Sequence, residues 1–130
     1  MKNKSTINFK DKTHEMQYSE ILAKMKNPDC YHRSAAYLIA LAKLVPDDVF
    51  DFEDDHILLD GLSKSWQTTS KQRATRLLFN LWSGWAYENK NAKANAIASS
   101  LYSVESIFCD YEYAPYFYEA IRIRFDWDQS

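Results

Sequence analysis

The residues with the clearest capacity for chemistry lie between positions 66 and 80. An indole and an amide, Trp66 and Gln67, precede two arginines, Arg73 and Arg76, and a second amide, Asn80. Guanidinium groups and the free N–H groups at a helix N-terminus attract anions, so this pattern is typical of a site for a phosphate-containing small ligand. The alternative is structural: the indole packs beneath a helix, Gln67 bonds loop backbone, and Arg73 pairs with an acidic loop.

A predicted helix over 70–85 would position these residues. Thr69 and Gln72 have the spacing of a capping box, which places the start of the helix at Ser70. At about 100° per residue, the apolar side chains fall on one broad arc, made of Ala74, Leu77, Leu78, Leu81, Trp82 and Trp85. Arg73, Arg76 and Asn80 lie on a different arc, which we expect to be exposed.

The other reactive side chains form no recognisable site. The three histidines, His14, His32 and His56, lie on three separate predicted elements. Cys30 and His32 form a C-x-H, but the second ligand pair of a zinc site is missing, and the other cysteine is Cys109. Two glycines cannot build a phosphate-binding loop or a nucleophile turn. We therefore expect a non-enzymatic protein with no catalytic residue, metal or cofactor, and two reduced cysteines.

An acidic stretch separates two basic regions of the chain. Seven carboxylates lie between positions 47 and 60 without one lysine or arginine. The stretch is not a calcium-binding EF-hand loop, because counting from Asp51 puts His56 where glycine is needed and Leu62 where glutamate is needed. We expect a solvated loop with a short helical turn at 46–50. Its charges either lie against the basic 70–85 helix or merely balance the surface for solubility. The few cations of that helix, opposed by this loop, argue against binding of duplex nucleic acid.

Further helices are predicted from caps and apolar periodicity. Asp11 caps a first helix, a second runs through about Leu44, Ser103 caps a short helix, and the last, with Pro115 in its first turn, covers 113–124. These elements predict an all-α fold, a compact single-domain bundle of four or five helices with the 70–85 helix at its centre and the acidic loop near 46–60.

The length and composition also bound the class of protein. The 130 residues are enough for a single domain over 1–130, with 1–10 and 126–130 as frayed ends. The longest apolar run, at 35–42, is far short of the ~20 residues needed to span a bilayer, and the basic N-terminus lacks the apolar stretch of a signal peptide. We expect a cytoplasmic protein with no membrane contact.

Four stretches carry a resemblance that covers about Phe9 to Phe125: HEMQYSEIL, WQTTSKQR, LLFNLWSG and YFYEAIRIRF. They resemble a family of uncharacterised small bacterial proteins, a domain of unknown function found largely in Firmicutes and often on mobile elements. The family's W-Q-T-x-S-x-x-R and F-N-L-W motifs correspond to Trp66, Gln67, Thr68, Ser70, Arg73, Phe79, Asn80, Leu81 and Trp82. The resemblance implies no activity, but it implies that His14, Gln67, Arg73 and Asn80 form one polar cluster, either a site or a buried network.

The stretch YEYAPYFY at 111–118 supplies the functional hypothesis. It holds more tyrosines than one helix face can bury, and tyrosine and arginine are enriched at protein interfaces. We expect a binding protein that acts on another protein in phage or mobile-element biology, with Tyr113 and Tyr116 joining Trp66, Gln67, Arg73, Arg76 and Asn80 as binding residues. The alternatives are a phosphate or nucleotide ligand held by the residues between Trp66 and Asn80, and pairing with a second copy of the chain.

Overall fold

The computed structural model describes residues 6–89 and 99–126, which form a mostly helical fold. Six α-helices and one small hairpin follow each other along this part of the chain. They are α1 (Lys12–Lys24), α2 (Cys30–Leu41), α3 (Pro46–Val49), β1 (Phe50–Asp51), β2 (His56–Ile57), α4 (Thr69–Ser83), α5 (Val104–Phe108) and α6 (Ala114–Phe125), with short 3-10 helices at Leu59–Ser63 and Ser100–Tyr102.

The helix starts follow local capping chemistry. The Asp11 carboxylate accepts a hydrogen bond from the His14 backbone N–H at 2.8 Å, and the Ser103 hydroxyl accepts one from Ser106, as predicted. At α4 the cap is Thr68, whose hydroxyl accepts from the Lys71 N–H. The predicted capping box at Thr69 was therefore wrong by one residue, because the neighbouring Thr68 also offers a hydroxyl that can cap the helix.

Helix α2 lies at the centre of the fold. Residues 34–42 are all buried, and α1, α4 and α6 pack around the helix. Helix α4, which was predicted to be central, shares this place with α2, because its residues 74–79 are also all buried and it contacts α2, α5, α6 and both 3-10 helices. The Ser34 hydroxyl donates to the Ala120 carbonyl at 2.9 Å and so joins α2 directly to α6.

The acidic stretch folds into structure of its own. Pro46 begins the short helix α3, and the antiparallel pair β1–β2 follows, with Phe50 opposite Ile57. Both of these apolar residues are buried. The all-α prediction missed this hairpin, because two-residue strands carry too little alternation to be recognised in sequence.

The segment before α1 is held by the last helix. The Asn8 N–H donates to Glu119 Oε2 at 2.7 Å, and the Tyr37 hydroxyl donates to the Asn8 carbonyl at 2.6 Å. Ile7 and Phe9 pack against the core. Residues 7–10 are therefore not frayed as predicted, whereas the predicted fraying of 1–5 and 127–130 lies outside the described residues.

We expect Leu78→Ala to lower the free energy of unfolding by about 2–5 kcal/mol, because Leu78 is 1% exposed and truncation leaves a cavity. Urea unfolding followed by circular dichroism measures the change. Val104→Ala is the control, since this apolar residue is 74% exposed and should change stability by less than about 0.5 kcal/mol. Equal losses in the two variants would contradict the core described here.

Candidate functional site

Trp66 and Gln67 fasten the loop before α4. The Trp66 indole N–H donates to Asp48 Oδ2 at 2.7 Å, which joins this loop to α3. The Gln67 amide nitrogen donates to the Gly61 carbonyl at 3.0 Å and to the Thr75 hydroxyl at 2.9 Å. The expected bond between Gln67 and loop backbone is thus present, and Trp66 rather than an arginine contacts the acidic stretch.

Arg73 pairs with Asp110, not with the acidic loop. Its Nη1 lies 3.3 Å from Asp110 Oδ2, and the Asp110 carboxylate also accepts from the backbone N–H groups of Glu112 and Tyr113 at 3.1 Å each. Burial raises the pKa of Asp110, but hydrogen bonds, including one from the Ser70 hydroxyl, outweigh it and hold the pKa below its usual value. A buried carboxylate therefore joins the start of α4 to the turn that leads into α6.

Arg76 is buried, so the predicted exposed arc was wrong at this position. Only 8% of the residue is exposed, and its Nε and Nη2 donate to the two Glu88 carboxylate oxygens at 3.0 and 2.9 Å. Glu88 lies beyond α4 and folds back over it, so helical phase alone could not show that this arc is covered. The guanidinium is engaged in a bidentate ion pair.

The implied polar cluster does not form as one unit. His14 Nε2 donates to the Tyr37 carbonyl at 3.0 Å, and the Asn80 amide donates to the Trp85 carbonyl at 3.2 Å. Burial lowers the pKa of His14, consistent with a neutral ring whose Nδ1 accepts from the Lys10 N–H. Within the described chain, no hydrogen bond joins any two of the four implied members, and each is bonded to different partners.

The tyrosines of 111–118 divide into two groups. Tyr113 and Tyr116 are half-buried and pack against the core, whereas Tyr111 is fully exposed and Tyr118 is 60% exposed. The predicted binding residues Tyr113 and Tyr116 thus face the core more than the solvent. Tyr118 lies seven residues before Phe125, which is 50% exposed, so both project from one side of α6. We call Pro115, Tyr118 and Phe125, all exposed, the α6 outer face.

An open groove adjoins the end of this face. It encloses about 460 Å³ beside the C-terminal end of α4, where Gly84 adopts a left-handed conformation at φ 75° and ends the helix. We call it the aromatic groove, and it is lined by Tyr31, Asn80, Leu81, Trp82, Ser83, Gly84, Arg124 and Phe125. Of the predicted binding residues, Asn80 alone is among those that line it.

Arg124 organises the aromatic groove. Its guanidinium carbon lies 3.6 Å from the centre of the Tyr31 ring and 4.8 Å from that of Phe125. Its Nε donates to the Leu81 carbonyl at 2.7 Å, which satisfies one of the last carbonyls of α4. The sequence analysis did not identify Tyr31 and Arg124, which the fold brings together from α2 and α6. The one indication of this surface in the sequence was the seven-residue spacing of Tyr118 and Phe125, which puts both on one side of a helix.

A histidine clamp supports the groove from behind. His32 Nδ1 lies 2.6 Å from Asp29 Oδ1, and its Nε2 lies 2.7 Å from Asp55 Oδ1. The ring also packs edge-on against Trp82, with centroids 5.0 Å apart. Burial lowers the pKa of His32, but the bonds to both carboxylates outweigh it and raise the pKa above its usual value. The clamp joins the start of α2 to the hairpin turn.

The comparison with protein families identifies the chain at family level. A model for a family of unknown function, DUF6075, matches residues 4–130. The chain belongs to this family. The predicted likeness to an uncharacterised domain is thereby confirmed, and DUF6075 membership brings no activity with it. Comparison with curated proteins and with solved structures finds no match.

Among residues 6–89 and 99–126 of this DUF6075 member, no group of three or more His, Cys, Asp or Glu side chains is arranged to hold a metal ion. In the same residues, no helix has the length and apolar character needed to cross a bilayer.

We expect Arg76→Ala to destabilise the protein by about 1–3 kcal/mol, because it removes charged hydrogen bonds and leaves Glu88 without its partner. Chemical unfolding measures the loss, with Lys64→Ala, at an exposed loop position, as the control. Changes of equal size in the two variants would contradict the buried pair.

We expect the His32 clamp to make stability depend on pH. Because the folded state raises the His32 pKa above its ordinary value of 6.5, the clamp stabilises fully below that pH and loses its effect as the pH rises through the folded pKa. Unfolding free energies from pH 5 to 9 should therefore converge for wild type and His32→Gln at the alkaline end. A difference that stays constant with pH would show that the clamp is not charged.

Proposed function

We propose that this protein binds another protein through the aromatic groove and the α6 outer face. The observation that carries the proposal is the continuity of the two surfaces: Phe125 belongs to both. Tyr31 is 40% exposed, Phe125 50% and Tyr118 60%, so three large rings project from adjoining positions. Between Tyr118 and Phe125, α6 advances about 10 Å, which is long enough to seat a segment of a partner.

The composition of this surface fits the residue types on which protein interfaces depend. Tyr, Trp and Arg dominate the residues whose truncation weakens binding most, and this surface includes Tyr31, Trp82 and Arg124. Their positions are preorganised, since the groove is braced by the His32 clamp and by the Arg124 bond to α4. Rigid aromatic side chains lose little conformational entropy on binding, which favours affinity.

The phosphate or nucleotide alternative receives less support. Arg73 and Arg76 are engaged with carboxylates, and the Trp66 indole donates to Asp48. A phosphate would have to displace these partners, with a cost in stability. Asn80 does line the aromatic groove, but Trp66, Gln67, Arg73 and Arg76 do not, so these residues do not form one site.

The setting of the interaction is part of the same proposal. We infer a non-enzymatic role in the cytoplasm, in phage or mobile-element biology, with an origin in Firmicutes as the resemblance implies. Pairing with a second copy of the chain is the alternative occupant of the same surface. In either case the binding residues are those of the aromatic groove and the α6 outer face.

Photo-crosslinking in host cells tests the proposal. A benzophenone amino acid at Tyr118 should capture one discrete protein, and the same group at Met16 should not. The two positions are matched, because both residues are 60% exposed and Met16 lies on α1. With the captured protein purified, Tyr118→Ala should weaken its binding at least about tenfold, while Met16→Ala should change it by less than about threefold.

Capture from neither position, or equal capture from both, would contradict the proposal. If the group at Tyr118 crosslinks to a second copy of the chain, the surface serves self-association and does not bind a different protein. Circular dichroism of each variant verifies that the fold is retained, so that a loss of capture reports on the surface itself.

A further inference from the structure

The hydrogen-bonding capacity of Arg124 is only partly used. Its Nε donates to Leu81, and the ring of Tyr31 lies against its guanidinium carbon. Within the described residues, neither Nη atom has a hydrogen-bond partner or an ion pair. Donors on the edge of a guanidinium therefore remain available in a group whose position is already fixed by backbone and ring contacts.

Among the described residues, no acidic side chain lines the groove to neutralise this cation. Among its eight lining residues, Arg124 alone is charged. Asp126 follows shortly after it in the chain, but its carboxylate lies 3.7 Å from Arg33 Nη2. The groove thus presents an uncompensated positive charge between aromatic rings, a surface complementary to a negatively charged group with apolar neighbours.

The surroundings of Arg124 favour a single negative charge over a double one. The groove lies at the C-terminal end of α4, where the helix dipole places partial negative charge, and one carbonyl of that end is already bonded to Arg124. Attraction to Arg124 and repulsion by this end act on both kinds of anion, but a phosphate dianion would lose more hydration than a carboxylate on entering between the aromatic rings. A carboxylate also matches the flat edge of the guanidinium with two parallel hydrogen bonds.

Resting on the proposed function, we propose that the partner places the side-chain carboxylate of an Asp or Glu, flanked by apolar residues, against Arg124. The carboxylate accepts from the free Nη donors, while its apolar neighbours pack on Tyr31 and Phe125. Arg124 is thus the residue that gives this surface its preference for acidic segments.

A titration with synthetic peptides tests this inference. The probes are acetyl-Gly-Phe-Glu-Leu-Gly-amide and its counterparts with glutamine or phosphoserine at the central position, so that no terminal carboxylate is present. NMR spectra of the full chain follow the side-chain resonances of Arg124 Nε and Trp82 Nε1. We expect the glutamate peptide to bind at least roughly tenfold more tightly than the glutamine peptide, and more tightly than the phosphoserine peptide.

Two variants separate the carboxylate contact from effects on the fold. Arg124→Lys keeps the charge but loses the forked donors, and should lower affinity for the glutamate peptide at least about fivefold. Lys12→Gln removes an exposed cation of α1 that does not line the groove and should leave affinity unchanged. If Arg124→Lys does not fold, the comparison of peptides on the wild-type chain still decides the question.

Each other outcome overturns the inference. Equal binding of the glutamate and glutamine peptides would show an apolar groove without charge preference. Tighter binding of the phosphoserine peptide would show that the ligand is a phosphorylated segment. If no NMR resonance shifts at millimolar peptide, the groove is not a binding site. These results leave the crosslinking at Tyr118 untouched, so failure of the carboxylate contact is distinguishable from failure of the protein-binding surface.

Discussion

The fold depends on enclosing a helix that has no polar side. Residues 34–41 of α2 are all buried, so neighbours must cover this part of the helix in every direction. Small side chains at Ala35, Ala36 and Ala40 allow those neighbours to approach closely. Residues 74–79 of the covering helix α4 are themselves buried all round, whereas the covering helices α1 and α6 keep one face toward solvent. Their outer faces are consequently where this chain can meet other molecules.

Buried charges in this protein serve mainly to join elements. Asp110 links α4 to the turn before α6, Glu119 holds both Asn8 and Arg122, and Arg76 holds Glu88. Each such group is satisfied by hydrogen bonds, as burial requires. The charges that looked most capable of chemistry in the sequence are therefore occupied, whereas Arg124, at the rim of the fold, retains free donors. Whether a charged side chain is occupied or keeps free donors therefore depends on its position in the fold and not on its residue type.

Local signals in the sequence predicted the helices well, and the contacts between distant residues poorly. The caps at Asp11 and Ser103 and the proline in the first turn of α6 were recognised because a helix start depends on a few adjacent residues. Helical phase predicted that Arg76 is exposed, which was wrong because Glu88, the residue that covers it, lies outside the helix. The aromatic groove combines α2, α4 and α6, and no periodicity within one element relates Tyr31 to Arg124.

The covering of α2 by α6 also has a consequence for the order in which the chain can fold. The Ser34 hydroxyl and the Ala120 carbonyl that it meets are 86 positions apart, and Asn8 and Glu119 are 111 apart. Closing such long loops costs chain entropy before any contact is gained, which slows folding. During synthesis, α2 leaves the ribosome long before α6 exists, and one of its apolar sides stays uncovered. Until α6 emerges and packs on it, this apolar side of the growing chain is exposed to aggregation.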